Sequence, residues 1–584
     1  MKQLLIRQLL IVCTIIAPIF ACTRGTKASA EDVNHAGDFE YREIYLPESS
    51  SAGAAALGLN NLDSDWGIWG HNLAKKLPKK HSESVYALVN GHREHDQLCF
   101  MSDDLYENLV DYINDTFDAN VTTRFAILPY DNHLVCQCEY CVREGNTKDN
   151  AAPAVFNMIT RLAQRFPKHQ FFTSYYSTTK GLPTKQLPAN AGVLISAMDY
   201  PLNGAATSGE QQFESLLQEW KRNTQRIYIW DYIQNFDDYF TPFPVFNIMQ
   251  RRLQLYGRNG VKGVFLNGSG TDYSTFSKLH AYVLADLMNN PGADWQSLLK
   301  KYCKDFYPVT GNAIYDFIIA QENYARQLSK NLPLYEGIQV ALQTYLPEAE
   351  FNAFYDKLRT LRLKAKGAER VEIDRLYRAL ALTKLELMRI NGDFAGYEDH
   401  VDDLASLTDE GIEVYNEGAW EIASYVKDYD FMVGHYDEVN GTNLLKGVQL
   451  KPLTRLDEEY SDISILTDGR LGMPHNYHSG NMLVSSETAL QIQIPKVDGM
   501  KRLRICFTRN PAYHIGRPVS VKLLDANGYK IVDGIKPEKH PIHSRHSFVD
   551  IDIPANAVGP FTVSVLKDPE TKSMALDEIE AFAE

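Results

Sequence analysis

Short apolar runs alternate with longer amphipathic stretches over the first half of the chain, from about residue 42 to residue 290. The runs are almost continuous in apolar character, which is typical of strands buried on both faces of a parallel sheet. They comprise residues 85–89, 125–128, 171–176, 193–198, 227–230 and 264–266, with two further elements around 43–46 and 97–100. Strands alternating with helices in this number predict an α/β fold, a TIM-like (β/α)8 barrel over residues 41–293.

The pattern changes twice in the second half of the chain. Residues 294–435 keep a helical period, so we expect a helical domain packed on the barrel. From residue 440 the period becomes two, and turns such as Asn527-Gly528 separate the runs, which predicts a β-sandwich over residues 440–584. The segments Leu466-Thr467-Asp468-Gly469 and Asp577-Glu578-Ile579-Glu580 make it resemble galactose-binding-like, discoidin-type sandwiches. Such domains bind sugars or brace a neighbouring catalytic domain, and both roles stay open.

The first residues resemble a bacterial lipoprotein signal. Lys2 and Arg7 precede an apolar run over residues 9–20 that is too short to span a bilayer, and Cys22 follows it. We therefore expect a signal peptide over residues 1–21, lipidation of Cys22 and a linker over residues 22–40. The protein would be exported and anchored to the membrane of the bacterial cell envelope. The alternative is a plain secretory signal with an incidental cysteine.

Composition narrows the class of ligand. The chain has 584 residues, of which 44% are hydrophobic and 23% charged, as expected for several soluble domains. Its formal net charge of −15 argues against a nucleic-acid partner, because phosphates require a basic protein face. The charge does not obstruct a neutral polar ligand such as a glycan.

Polar and aromatic residues follow the carboxyl ends of five predicted strands, where barrels place their chemistry. Aromatic faces meet the C–H side of a sugar ring, amides and carboxylates hold its hydroxyls, and two carboxyl groups perform glycosidic cleavage. The pattern therefore predicts a glycan substrate. The residues are Asp131, Asn132, Tyr176, Asp199, Trp230, Asp231, Tyr232 and Asn267. The structural alternative is that such residues only begin solvated loops.

Two further clusters allow both a functional and a structural interpretation. Residues 63–72 contain two tryptophans, two glycines and His71, which indicates a tight loop. His71 would line the sugar site as a donor, or the loop would simply be anchored in the core by its tryptophans. The adjacent Asp237 and Asp238 would include a carboxyl of raised pKa if buried, and a solvated turn if exposed.

Three cysteines, Cys136, Cys138 and Cys141, lie shortly after Asp131. With His133 they would supply the four ligands of a structural zinc site. In an exported protein, two of these thiols would instead pair in a disulfide, and free thiols are the third possibility. No organic cofactor is indicated.

Several of these motifs resemble one family of gut-bacterial glycoside hydrolases. Asp131-Asn132 followed by the cysteine cluster, Trp230-Asp231-Tyr232, and Gly263-Val264-Phe265 before a glycine-rich turn carry the resemblance, which covers residues 65–346. The family is distantly similar to α-glucuronidases and β-hexosaminidases and includes endo-β-N-acetylglucosaminidases that cut complex N-glycans. The resemblance implies retaining hydrolysis of N-acetylglucosamine-containing glycans, in which the 2-acetamido group of the substrate attacks the anomeric carbon.

The resemblance also implies residue roles. Asp131 and Asp231 would be the catalytic carboxyls, and His71 a binding donor. The sequence departs from related families, which carry an adjacent Asp-Glu pair at a strand end, and Asn267 stands where some relatives have an acid. Glu139, just past Asp131, is a reserve candidate for the general acid.

Two other functions compete with glycosidic hydrolysis. A non-catalytic glycan-binding lipoprotein would show an aromatic groove without a second carboxylate in reach. A metal-dependent hydrolase would need His and Asp at several strand ends, and only His71 and His133 lie near them. The oligomeric state is not indicated by the sequence.

Overall fold

The computed structural model describes residues 39–49, 51–205, 207–439, 441–539 and 545–584. The predicted signal peptide, Cys22 and the linker up to residue 38 lie outside these ranges. Within the described ranges, no helix has the length and apolar character needed to cross a membrane.

Parallel strands form the sheet that underlies the candidate site. They are β1 (Tyr41–Tyr45), β2 (Trp66–Ile68), β3 (Arg124–Ala126), β4 (Gln170–Tyr175), β5 (Ala191–Ser196), β6 (Ile227–Tyr232) and β7 (Gly263–Asn267). Their order is β1-β7-β6-β5-β4-β3-β2, so the first two strands form opposite edges. The sheet curls so far that these edges approach each other, and the rings of Tyr41 on β1 and Trp66 on β2 lie 5.7 Å apart. No hydrogen-bond ladder joins β1 to β2 in the described residues. The result is a curled open sheet, not the closed eight-stranded barrel predicted above.

Two of the predicted barrel strands form an antiparallel hairpin instead. Tyr86–Val89 pairs with His92–Leu98 through the turn Asn90-Gly91. Both turn residues have positive φ, 50° and 84°, as a two-residue type I′ turn requires. The edge of the parallel sheet is occupied by β2, within the stretch that we expected to be a loop.

Side chains alternate between the two faces of the curled sheet. The inner face carries an apolar cluster with members on every strand, Tyr41, Trp66, Ala126, Leu128, Phe172, Leu194, Tyr228 and Phe265. Space inside the curl is limited. A Cβ added to Gly263 on β7 would lie 2.6 Å from the Tyr228 ring, so glycine allows the two strands to pair at this point. The inner face is thus a packed core with room only at one end.

Helices cover the outer face of the sheet. They are α1 (Asp103–Thr116), α2 (Ala152–Arg165), α3 (Ser208–Lys221), α4 (Phe246–Arg258) and α5 (Ser277–Asn289), with shorter helices at Ser51–Leu57, Leu62–Asp65 and Glu139–Glu144. In α2, Val155, Met158, Ile159 and Leu162 recur at helical spacing and are completely buried. Burial of this apolar stripe against the sheet holds the helix in place.

The region after α5 is helical, as predicted. Its helices are Trp295–Phe306, Gly311–Leu328, Ile338–Thr344, Glu348–Leu361, Gly367–Asn391, Tyr397–Ala405 and Ile422–Val439. The loop before the last helix returns to the sheet, where Glu417 N–H donates to Phe236 O over 2.9 Å and Tyr415 O accepts from Tyr239 N–H over 2.8 Å. Backbone hydrogen bonds therefore fix this loop over the carboxyl end of β6.

The C-terminal region is a β-sandwich of two antiparallel layers. One layer contains Lys451–Pro452, Ala489–Ile494, Phe561–Leu566, Ser520–Leu524 and Lys530–Ile535. The other contains Met482–Val484, Ser573–Phe582, Arg502–Thr508, His546–Asp552 and Glu538–Lys539, with Ile515–Gly516 alongside. The two motifs that suggested a discoidin-type domain contact each other, because the Glu578 carboxylate accepts the N–H groups of Gly469 and Arg470.

The sandwich shares a hydrophobic core with the rest of the chain. Phe240 after β6, Leu382 in the helical region, and Met473 and Cys506 in the sandwich belong to one buried cluster. This arrangement favours a bracing role, because the sandwich holds the helical region against the sheet.

A buried carboxyl on β1 leads to a prediction about pH. Glu43 is 1% exposed and accepts hydrogen bonds from the Tyr41 hydroxyl and from Leu62 N–H. Burial raises the pKa of Glu43 to about 8. Between its ordinary pKa and this value, the folded chain keeps a proton that the unfolded chain releases, so stability is lost as pH rises.

We expect Glu43→Gln to raise the thermal midpoint at pH 8.5 and to leave it unchanged at pH 4.5. The free energy of unfolding at pH 8.5 should rise by a few kcal/mol at most, because each tenfold change in the acid dissociation constant corresponds to about 1.4 kcal/mol. Exposed Glu107→Gln is the matched control and should show no difference at either pH. An equal effect of Glu43→Gln at both pH values would contradict the raised pKa.

Candidate functional site

A pocket opens on the inner face of the curled sheet, at the carboxyl ends of its strands, with a cavity volume of about 220 Å³. Its lining is His71, Leu128, Asp131, Ser174, Tyr176, Leu194, Ser196, Met198, Trp230, Tyr232, Asn267, Tyr335 and Glu417. Six residues that the sequence placed in a sugar site are therefore brought together, namely His71, Asp131, Tyr176, Trp230, Tyr232 and Asn267. These residues lie at or just beyond the carboxyl ends of β2, β3, β4, β6 and β7, as expected for strand ends that meet at one edge of a parallel sheet.

Asp131 stands on the loop after β3, and its neighbours are held firmly. Gln97 is buried, and its side-chain amide accepts from Tyr130 N–H over 3.1 Å and donates to Tyr130 O. On the other side, His71 Nδ1 lies 2.5 Å from Pro129 O and donates to it. That hydrogen bond leaves Nε2 of a neutral His71 as an acceptor. The Asp131 side chain is exposed and faces the pocket.

Tyr176 connects Asp131 to the rest of the pocket. Its ring lies 6.2 Å from the His71 ring, and the Asp131 carboxylate is near enough to act on its hydroxyl. Burial, together with the negative charge of Asp131, raises the pKa of Tyr176 above its ordinary value. The phenol therefore stays protonated at neutral pH, as a donor beside the carboxylate.

A second carboxylate reaches the pocket from the helical region. Glu417 accepts a hydrogen bond of 2.7 Å from the Tyr335 hydroxyl at its Oε2 atom, and both residues line the pocket. Burial, followed by this hydrogen bond, raises the pKa of Tyr335. The charge of Glu417 also contributes to the raised pKa of Tyr176, so both carboxylates act on the same phenol.

Aromatic rings form the inner wall of the pocket. Trp230 stacks on Trp69 with centroids 5.0 Å apart and 14° between the planes, and Phe265 meets Trp230 edge-on at 5.0 Å. Tyr232 lies beyond it, with its hydroxyl 3.0 Å from Ser196 Oγ. The tryptophans thus pack in the core, as the structural interpretation holds. His71 lines the pocket, but its Nδ1–H is used by Pro129 O, so a neutral ring offers the pocket an acceptor and not the expected donor.

The expectation that Asp231 faces the substrate is not met. Alternation along β6 turns Tyr228 and Trp230 inward and Asp231 outward, and the carboxylate is completely buried under α4. There Arg252 binds one of its oxygens, and the Tyr256 hydroxyl donates to the other over 2.6 Å. Both oxygens are occupied by structural partners, so we do not place Asp231 in the pocket.

Asn132 and Asp199 also lie outside the pocket lining. The Asn132 side chain accepts from Gln97 over 3.0 Å and donates to Asp96 O over 2.7 Å, which ties its loop to the hairpin. Asp199 is exposed, and its carboxylate pairs with Lys180 at 2.6 Å. The structure gives these two residues roles in the loops around the pocket.

The remaining predicted acids have structural partners. Glu139 pairs with Arg143 on the surface of the short helix Glu139–Glu144. Asp238 is buried and accepts the N–H groups of Phe240 and Thr241, and burial raises its pKa to about 6. Asp237 contacts His478 of the sandwich at 2.8 Å. The adjacent pair is therefore one buried acid and one bridging acid, and neither lines the pocket described above.

The cysteine cluster contains a fourth cysteine that the sequence pattern did not predict. The sulfur atoms of Cys136, Cys138 and Cys141 meet that of Cys99, and His133 is not part of the group. All four cysteines are free and buried. The disulfide expected as one alternative is not formed among them in this structure.

Comparison with protein families gives one match. Residues 37–318 match the model of a family described as a domain of unknown function (DUF4838). The match spans just under half of the chain and includes every strand of the curled sheet. A comparison with curated protein sequences finds no match.

Several solved structures are similar to the chain at low identity. A family GH115 4-O-methyl-α-glucuronidase with specificity for decorated arabinogalactans is 12% identical, with 94% of this chain and 81% of that chain covered and a TM-score of 0.43. A GH138 enzyme targeting pectin rhamnogalacturonan II is 8% identical over 93% and 86%, with a TM-score of 0.29. A Streptococcus pneumoniae fucose-binding module is 14% identical over 24% and 97%, with a TM-score of 0.18. Likeness at this level does not identify a substrate.

The chemistry of the pocket follows from its side chains. Carboxylates, phenols and amides are groups that can hold the hydroxyls of a polar ligand, and the Trp230 ring offers an apolar surface beside them. The described lining of the pocket contains two carboxylates and neither Lys nor Arg. A negatively charged ligand would therefore be repelled, and a neutral one accepted.

Proposed function

We propose that the protein is a glycoside hydrolase that acts on a neutral sugar held in this pocket. The observation that carries the proposal is the convergence of Asp131 and Glu417 on one aromatic pocket at the carboxyl ends of parallel strands. Glycosidic cleavage uses two carboxyl groups, one as acid and the other as base or nucleophile. Glu417 takes the place that the sequence assigned to Asp231.

Each carboxylate has a tyrosine beside it. Tyr335 donates to Glu417 over 2.7 Å, and Tyr176 lies near enough to Asp131 for the charge of the carboxylate to raise the pKa of the phenol. Binding of a sugar ring against Trp230 would exclude water from both pairs and strengthen their electrostatic effect on the reacting bond.

N-acetylglucosaminides are the neutral substrates that we favour, on the strength of the sequence resemblance. In the acetamide-assisted mechanism, one carboxylate orients the acetamide N–H and another protonates the leaving oxygen. Asp131, beside Tyr176, would take the first role. Glu417, on the loop from the helical region, would take the second.

The test is incubation of the full chain with a glycan panel, followed by mass spectrometry of the products. The panel pairs neutral N-acetylglucosaminides and N-glycans with uronic-acid-capped arabinogalactan and rhamnogalacturonan II, the polysaccharides on which the two similar enzymes act. We expect cleavage of a neutral glycan and none by the Asp131→Asn/Glu417→Gln double variant. Cleavage of uronic-acid caps alone would contradict the neutral pocket, and equal products from the double variant would contradict the acid pair.

A second candidate function is glycan binding without cleavage. It is favoured by one observation, namely that Asp131 and Glu417 are both exposed, whereas a general acid usually relies on burial to hold its proton at neutral pH. In this case calorimetry would show binding of a glycan that is never cleaved. Binding with no product from any member of the panel would establish this function in place of hydrolysis.

A further inference from the structure

Four buried cysteines converge at the base of the loop that carries Asp131. Cys136, Cys138 and Cys141 lie within six residues of one another, and Cys99 joins them from the end of the hairpin strand His92–Leu98. Their four sulfur atoms all lie within 4.8 Å of one another. Cys99 Sγ lies 3.7 Å from Cys138 Sγ and 3.7 Å from Cys141 Sγ.

These separations fit a single tetrahedral metal ion. Zinc binds thiolate sulfur at about 2.3 Å, and a regular tetrahedron of that radius has sulfur atoms about 3.8 Å apart. A disulfide would bring two sulfur atoms to about 2.05 Å. Four sulfur ligands within 4.8 Å leave space for one ion between them but not for a multi-iron cluster.

The backbone around the cluster also suits thiolate ligands. Leu88 N–H donates to Cys136 Sγ over 3.3 Å. Such a hydrogen bond stabilises negative charge on sulfur and fixes the orientation of a ligand. Cys138 precedes the short helix Glu139–Glu144, Cys141 lies inside it, and the sulfurs of both lie close to that of Cys99 at the end of the hairpin.

We propose that Cys99, Cys136, Cys138 and Cys141 bind one zinc ion that has a structural role. With four protein ligands the ion has no open position, as in structural zinc sites. It would join the hairpin to the loop after β3, next to the Gln97 contacts that hold Tyr130 beside Asp131. The proposal does not depend on the proposed function, because a structural ion would be present whether or not the pocket cleaves glycans.

The first test is the metal content of the full chain, purified under reducing conditions and measured by plasma mass spectrometry. We expect about one zinc per chain in the wild type and a loss of it in Cys99→Ser and Cys141→Ser. Cys303→Ser, which alters a buried cysteine outside the cluster, is the matched control and should keep its zinc. Wild-type protein that retains no zinc after loading and dialysis would overturn the proposal.

A second measurement avoids variants that do not fold. Cobalt(II) exchanged into the wild-type chain should give the thiolate-to-cobalt absorption of a tetrahedral sulfur site, and added zinc should abolish it. No such absorption, or a disulfide between any two of the four cysteines in a non-reducing peptide map of native protein, would also overturn the proposal. Glycan cleavage is not part of either measurement, so failure here is distinguishable from failure of the hydrolase proposal.

Discussion

Asp131→Asn is expected to lower kcat/KM for glycan cleavage by a factor on the order of 10²–10⁴ with no change in thermal midpoint. The substitution keeps the size of the side chain, but it removes the charge that the reaction uses. Because Asp131 is exposed and its loop is held through Tyr130 and Pro129, the fold should not respond. Initial rates on the substrate found in the panel, together with calorimetric melting, check both parts.

Exposed Asp149→Asn, in the loop before α2, is the matched control and should leave the rate unchanged. Glu417→Gln should cause a loss of similar size, with Glu421→Gln, on the same loop, as its control. If both carboxyls serve one step, the double variant should be little worse than either single variant. A rate that survives Asp131→Asn within a factor of two would remove this residue from the chemistry.

The parallel sheet could be predicted from the apolar runs, but the number of its strands and its open form could not. Six of the predicted runs lie in the sheet. They could be recognised because a strand that is buried on both faces consists almost entirely of apolar residues. The runs at 85–89 and 97–100 also look like strands, yet they belong to a hairpin whose turn, Asn90-Gly91, directly follows the first run and is a two-residue hairpin signal in the sequence. The turn signal is stronger evidence for a hairpin than the count of eight runs is for a barrel, because the turn specifies an antiparallel pair directly.

The edge strand β2 could not be recognised, because its own sequence carries no strand signal. Trp66–Ile68 is three residues long and contains a glycine, so it has no periodicity to detect. A Cβ on Gly67 would lie 2.4 Å from the Phe125 ring, and only the folded sheet shows why glycine is needed there. Short edge strands of this kind are defined by their neighbours and not by their own composition.

Only part of the candidate site could be predicted from the residues at the strand ends. Residues at or shortly beyond the strand ends, such as Asn267 and Asp131, reach the pocket because topology places them there. Trp230, Asp231 and Tyr232 cannot all face one way, since neighbours in a strand alternate. Glu417 lies about 150 residues beyond β7 on a helical-region loop, and its docking on Phe236 leaves no local pattern in the sequence.

The cysteine site illustrates the same limit. Cys136, Cys138 and Cys141 are close in sequence and can be grouped from it, and the nearest histidine then looks like the fourth member. Cys99 reaches the cluster through the hairpin, so identifying it requires the fold first. Contacts between distant segments, rather than the chemistry of single motifs, are what the sequence leaves undetermined.

Asp231→Ala is expected to destabilise the protein by about 3–5 kcal/mol, whatever it does to activity. The change would leave Arg252 charged, 1% exposed and without its carboxylate, and it would deprive the Tyr256 hydroxyl of its acceptor. A lone charge in such surroundings costs far more than the pair contributes. The measurement is the urea midpoint of the first unfolding transition, with Glu214→Ala, in an exposed pair with Arg258, expected to cost less than about 1 kcal/mol.

The double variant Asp231→Leu/Arg252→Met separates a structural role from a catalytic one. An apolar pair of similar volume needs no counter-charge, so the double variant should recover much of the stability lost in Asp231→Ala. Because Asp131 and Glu417 remain in place, it should recover glycan cleavage as well. If stability returned while cleavage stayed absent, Asp231 would act in the reaction after all. The role that the sequence predicted for Asp231 would then be right, although its carboxylate lies outside the pocket.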